Sequence, residues 1–204
     1  MLDWGHGSSG QVRLGDDRVA LILEVLAERT RALADDGALY VLPFENRGAE
    51  MGVTLGHPHG QIYAYRFMPR RQALQTAHLK SYFDREQRDL LGDIAQTEMH
   101  LGLRLLDQRG DAVSFVPPFA RFPYEIWIAP LAEATELSEL PERSLSDLAA
   151  CLAAALRRLD ALWSRPMPYL LTVNQRPFDG ADHPEWRVRI EIWPIRRDAN
   201  KLKY

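Results

Sequence analysis

Cysteine is all but missing from this chain: Cys151 is the only one among 204 residues, so no internal disulfide can form. Long apolar runs are also missing, and none approaches the roughly 20 residues that a membrane-spanning helix needs. The amino-terminal Met1-Leu2-Asp3-Trp4-Gly5-His6 lacks the basic-then-apolar layout of a signal peptide. No segment is of low complexity. Neither sign of charge dominates: the formal net charge is −3, which argues against a broad nucleic-acid surface. Local basic patches at 66–71 and 196–203 read first as solvated surface, though they could meet phosphates. What is present, 46% hydrophobic and 26% charged residues, fits a compact cytoplasmic protein of one or two packed units.

The most informative residues are His57-Pro58-His59-Gly60-Gln61-Ile62-Tyr63. Two imidazoles stand two apart, followed by a glycine and a glutamine. In an extended segment both rings leave the same face. The run Gln61 to Tyr65 alternates well enough to be a strand that fixes them, and a fixed tautomer is what a nucleophilic or ligating histidine requires. Two polar caps on a strand end are the plainer reading of a bare His-x-His. The intervening proline and the following Gly-Gln weigh against it.

Upstream, Pro43-Phe44-Glu45-Asn46-Arg47-Gly48-Ala49-Glu50-Met51-Gly52-Val53-Thr54-Leu55-Gly56 runs straight into His57. A Phe-Glu-Asn block, a glycine followed two residues later by Ser or Thr, and His-Pro-His-Gly-Gln, in this order, resemble the galactose-1-phosphate uridylyltransferase family, a branch of the histidine-triad superfamily. Other histidine-triad proteins usually carry a third histidine where this chain has Gln61. The similarity continues more weakly through Val116 to Glu125 and Asn174 to Gly180. It implies an α+β fold, a histidine-triad-like antiparallel sheet with packed helices.

The resemblance also implies the chemistry: UMP moves between UDP-glucose and galactose 1-phosphate. His59 would be the nucleophile, attacking the α-phosphorus to give a nucleotidyl-imidazole. Gln61 would donate an amide N–H to a phosphoryl oxygen, and because it cannot ionise it would not protonate the leaving phosphate. Asn46, Gly52 and Thr54 would bring amide, backbone and hydroxyl donors to the phosphates. Taken singly, each of those three is more often a turn residue. Two alternatives stay open, a non-catalytic scaffold or nucleotide-binding subunit, and a related nucleotidyltransferase or phosphorylase using another base or sugar.

In metal ligands the chain departs from the family pattern. The family's structural zinc site uses a Cys-x-x-Cys pair, a distant histidine and the first histidine of His-Pro-His. Here the pair is absent, leaving His57 and, tentatively, His6, and two ligands do not close a tetrahedral site. A disordered terminal histidine is as good a reading of His6. Cys151, in an Ala/Leu run, reads as apolar filling. A second metal site in some members maps onto Gln75, Asn174, Arg189 and Glu191. Three of these are not ordinary ligands, so no second metal is expected and the site should be empty or rebuilt. Arg187, Arg189 and Glu191 read as an ion-paired strand face.

Patterning predicts a helix from Asp16 or Asp17, capped by one of them, through 34, then strands at 38–44 and 61–67. A helix over 84–106, strands at 112–116 and 124–129, a helix over 144–163 opened by a Ser144-x-x-Asp147 capping box, and strands at 169–174 and 186–193 follow. His78, His100 and His183 read as surface or helix histidines, and Trp127, Trp163, Trp186 and Trp193 as core. The family has two histidine-triad-like repeats. Residues 1–71 correspond to the tail of the first, carrying the motif, and 72–204 to a degenerate second. The first repeat being incomplete, the expectation is a split enzyme with a companion chain bearing the amino-terminal part, or a homodimer. A truncated or decayed copy is the competing reading.

Overall fold

The computed structural model describes residues 15–51, 60–162 and 166–195. The expected α+β architecture is observed. Seven strands, β1 (Tyr40–Arg47), β2 (Gly60–Tyr65), β3 (Leu105–Arg109), β4 (Ala112–Phe115), β5 (Ile126–Pro130), β6 (Tyr169–Asn174) and β7 (Arg189–Pro194), form one sheet in the order β2-β1-β6-β7-β5-β4-β3. Every pairing is antiparallel. The sheet is continuous across the chain because β1 pairs with β6, with Glu45 opposite Leu171.

Side chains alternate between the two faces of a strand, so the register sorts the sheet into a helix-packed face and a more polar one. Ile190, Ile192, Leu171, Val173, Ile126 and Ile128 point to the first face. There they pack on α1 (Asp16–Asp35) and α4 (Glu142–Ala161), the latter supplying Leu148, Cys151, Leu152, Leu156 and Leu159 to the same core. The α4 run of Ala and Leu buries one wide stripe, as a helix laid on a sheet must. Cys151 lies in that core with no exposure, and burial pushes its thiol up to about 12. The opposite face carries α2 (Arg70–Glu86) and α3 (Leu90–Leu101) over Val113, Phe115, Trp127 and Trp186. Among the described residues, no helix is long and apolar enough to cross a membrane.

Several expected elements differ. The helix predicted over 84–106 is two helices and the start of a strand. Gln87 in the left-handed region ends α2, Asp89 caps α3 by accepting from the Gly92 N–H at 2.6 Å, Gly102 in the left-handed region ends it, and β3 follows. Sequence patterning misses α2 because it is polar, burying only Gln72 and Leu79. No side chain caps α1. Asp16 instead forms ion pairs with Arg109 and Arg157. The Ser144/Asp147 capping box does not form either, for α4 begins earlier, at Glu142. Ser144 Oγ donates to the Asp111 carboxylate, and Asp147 accepts from the Asp111 N–H at 2.9 Å. β7 begins at Arg189, not 186, since Trp186 N–H closes a turn on His183 and Val188 N–H leaves the ladder for Ala134.

Candidate functional site

The sequence placed the chemistry at His57 and His59, with Gly52, Thr54 and His6 beside them. All five lie outside the described residues. Asn46 and Gln61, on either side of that segment, are described. Gln61 sits opposite Phe44, which sits opposite Thr172, then Glu191, then Trp127, making one cross-sheet row on the polar face. Asn46 begins the next row, with Leu170 and Trp193. Asn46 and Gln61 are thus diagonal neighbours on adjacent strands of one face, within side-chain reach of a common ligand.

Glu45 and Arg47, on either side of Asn46, turn to the helix-packed face and lock it. The Tyr169 hydroxyl donates to Glu45 Oε2 at 2.9 Å. Arg47 makes a two-pronged pair with Asp160 at the end of α4, at 2.9 and 3.0 Å, and its guanidinium covers the Tyr169 ring at 5.4 Å. Asp160 also accepts from the Met167 N–H at 2.8 Å. Complete burial, with the Glu45 charge nearby, holds the Tyr169 phenol well above its usual pKa, so it remains a donor. The effect is to clamp the end of β1, so that Phe44 and Asn46 face the site while their neighbours are anchored on the far side. Sequence reasoning did not single out Arg47, Tyr169 or Asp160, because their partners lie more than a hundred residues away in the chain.

The turn after β1 has its own constraint. Gly48 has φ +96, and a Cβ there would lie 2.7 Å from the Pro168 Cβ. Gly48→Ala is expected to cost about 2–4 kcal/mol, combining a disallowed backbone with a clash against a proline. Urea unfolding of the purified protein measures it, and an unchanged midpoint would contradict the geometry.

At the other end of the polar rows stand the positions matched to a second metal site. Glu191, fully buried, accepts from Arg189 Nε at 2.8 Å and from Arg71 Nη2 of α2 at 3.1 Å. The Arg189 guanidinium lies 5.0 Å from the Trp127 ring and 5.6 Å from the Trp186 ring. Asn174, opposite Arg189 in the ladder, donates to Thr172 at 3.0 Å. Arg187 is not part of this face. It pairs with Asp89 at 2.7 Å and donates to the carbonyls of Pro130, Leu131 and Ala132. These residues do not fit a metal: of the four positions only Glu191 is a carboxylate, and both its oxygens already accept from guanidinium groups. Among the described residues, no group of three or more His, Cys, Asp or Glu could hold an ion. Nor does buried Cys151, its thiol raised, offer the thiolate that zinc takes.

One further arginine, Arg121, joins Arg71 on this face. Arg71 and Arg121 lie over the Trp193 ring at 4.4 and 4.9 Å, in the row that Asn46 begins. Burial pushes the Tyr40 phenol up to about 12, against the pull of Arg189, so it stays protonated and is no base. Trp127, Trp186 and Trp193 are buried as expected, whereas His183 is more than a surface histidine, its ring nitrogens each 2.8 Å from Asp179 and Glu185. A groove of about 470 Å³ between α3 and the loop before β7 contains none of the predicted site residues. Four of its charges form two pairs, Arg88 with Asp93 and Arg187 with Asp89, and Glu133 and Asp182 also line it.

Comparison with known proteins places this geometry in context. Residues 10–69 match the family described as Galactose-1-phosphate uridyl transferase, N-terminal domain, and 75–199 the corresponding C-terminal domain. The galactose-1-phosphate uridylyltransferase of Thermotoga maritima is 30% identical over 92% of this chain and 59% of its own length. That of Streptomyces lividans is 34% identical over 81% of this chain and 48% of its own. A solved uridylyltransferase structure superposes with a TM-score of 0.84 at 31% identity, covering 94% of this chain and 60% of that one. The chain therefore spans roughly half to three-fifths of the length of these relatives. From the motif order, the sheet and these matches together, the chain belongs to the galactose-1-phosphate uridylyltransferase family.

Proposed function

We propose that this chain carries the uridylyl-transferring centre of a UDP-glucose–hexose-1-phosphate uridylyltransferase. UMP passes from UDP-glucose to the imidazole of His59, releasing glucose 1-phosphate, and from His59 to galactose 1-phosphate, giving UDP-galactose. In the first step the P–N bond forms as the bond from the α-phosphorus to the bridging oxygen breaks, and the electron pair leaves with glucose 1-phosphate. The second step reverses this with the incoming phosphate oxygen. Asn46, Gly52, Thr54 and Gln61 hold the phosphates. The observation that carries the reading is the meeting of Asn46 and Gln61 on one sheet face, from strands on either side of the His-Pro-His segment. Arg71 and Arg121 add positive charge to that face, which suits an anionic substrate.

The reading extends to a cytoplasmic setting, consistent with one free, buried cysteine. It includes the division at residues 71/72 into two histidine-triad-like repeats, and assembly either with a companion chain or as a homodimer. Zinc, if held by His57 and His6, needs ligands beyond those two.

Intact-mass spectrometry after incubation with UDP-glucose tests the proposal. The expected result is a mass increase of one UMP, discharged by galactose 1-phosphate. The measurement is made on this chain alone and with a companion carrying the amino-terminal part of a relative. No adduct in either arm would overturn the covalent mechanism and favour a non-catalytic nucleotide-binding role.

A further inference from the structure

We infer that the Arg189 guanidinium occupies the role of a metal ion in this chain: a fixed cation, built into β7, around which the second-site residues and α2 are organised. Three of the positions at which the resemblance would supply ligands meet through the Asn174–Arg189 ladder pair and the Arg189–Glu191 contact, and the fourth, Gln75, stands one turn after Arg71 on α2, which reaches Glu191.

Three observations support a guanidinium, and not an ion, as the centre. First, both oxygens of Glu191 are engaged: Oε1 by Arg189 Nε and Nη2 at 2.8 and 2.7 Å, and Oε2 by Arg71 Nη2 at 3.1 Å. Two cations already face one carboxylate, so a further dication would be repelled by the surplus positive charge. Second, Arg189 is immobilised much as a bound ion would be. It is 1% exposed and flanked by the Trp127 and Trp186 rings, whose faces favour a planar, weakly hydrated cation. Third, the buried Arg189 atoms that lack a hydrogen-bond partner, Nη1 and Nη2, are both donors, Nη2 being in ion-pair contact with Glu191 Oε1 at 2.7 Å. A metal ion needs converging lone pairs, and a guanidinium has none to offer.

This arrangement has a structural consequence. Arg71 sits in the first turn of α2 and Gln75 one turn later, so the Arg189–Glu191–Arg71 chain ties that helix to the polar face at β7. The tie needs no exchangeable ion. It is independent of whether the chain transfers UMP, and its readouts are metal content and melting temperature, not activity.

The experiment compares the full chain with Glu191→Gln, Arg189→Lys and Arg189→Met, each purified after growth with added zinc and iron. Elemental analysis is expected to give the same metal content for all four proteins, including any ion bound elsewhere in the chain. Arg189→Met should melt lower than Arg189→Lys, because lysine keeps the positive charge opposite Glu191. Neither variant should recover its melting temperature on addition of zinc or iron. Loss of one metal equivalent in Glu191→Gln would overturn the inference. So would equal melting temperatures for the lysine and methionine variants. Should Arg189→Met fail to fold, the metal content of Glu191→Gln and Arg189→Lys still decides.

Discussion

His59→Asn is expected to abolish the UMP adduct and to lower turnover by at least about 10⁴-fold, because the reaction loses its covalent intermediate and not merely one contact. Asparagine keeps a polar group of similar reach but has no basic lone pair with which to attack phosphorus. Gln61→Ala should behave differently. It removes one neutral donor to a phosphoryl oxygen, which is worth on the order of 10²–10³-fold in rate, and the adduct should still form, only more slowly. Initial rates of UMP transfer, with intact mass on the same samples and circular dichroism to confirm folding, separate the two roles. An adduct that survives in His59→Asn would move the nucleophile to another residue. Equal losses in the two variants would make Gln61 as indispensable as the proposed nucleophile and defeat the division of labour.

Arg47→Met is expected to destabilise the protein by about 3–5 kcal/mol, the cost of leaving one member of a buried ion pair uncompensated. Arg47 and Asp160 are 9% and 10% exposed at their side chains, so solvent screens them little. Their pairing is two-pronged, at 2.9 and 3.0 Å. Replacing both residues by methionine should cost less than the sum of the single changes, since the stranded charge disappears. It should not become neutral, because Asp160 also accepts from the Met167 N–H. Urea unfolding of the wild type, both single variants and the double variant forms the cycle. Additive losses would mean that the pair contributes nothing beyond its separate parts. A second consequence is functional. Arg47 anchors the residue next to Asn46, so a moderately destabilised Arg47→Lys protein should show weakened substrate binding at temperatures where it remains folded.

The long, strongly patterned elements were legible in the chain. The 144–163 stripe became α4, the segment 169–174 became β6 with the same bounds, and the helix from Asp16 became α1. Each buries a wide apolar face, and that leaves a period in the sequence. The polar helix α2 left none, and so was missed. Both predicted caps failed for a shared reason: Asp16 and Asp147 are good capping residues locally, but distant partners claim them, Arg109 and Arg157 in one case and the Asp111 backbone in the other. Similarly, the strand expected from 186 gives up its first residues because Arg187 is drawn to Asp89 and to three carbonyls before β7.

By itself the sequence determined the family and the identity of the proposed reacting groups, because a nucleophile, an amide donor and small turn residues must stand in order along a few adjacent positions. It also determined that the second metal positions hold an amide, another amide, an arginine and a glutamate. Only the tertiary structure decided what those residues do. Arg189 becomes a caged cation because Trp127 and Trp186 close over it and Glu191 draws in Arg71 from another element. The reaching side of Asn46 is set by the clamp of Glu45 and Arg47 on Tyr169 and Asp160. Local order along a chain specifies chemistry that a strand can present, whereas charge pairing and burial between distant segments exist only once the sheet has brought them together.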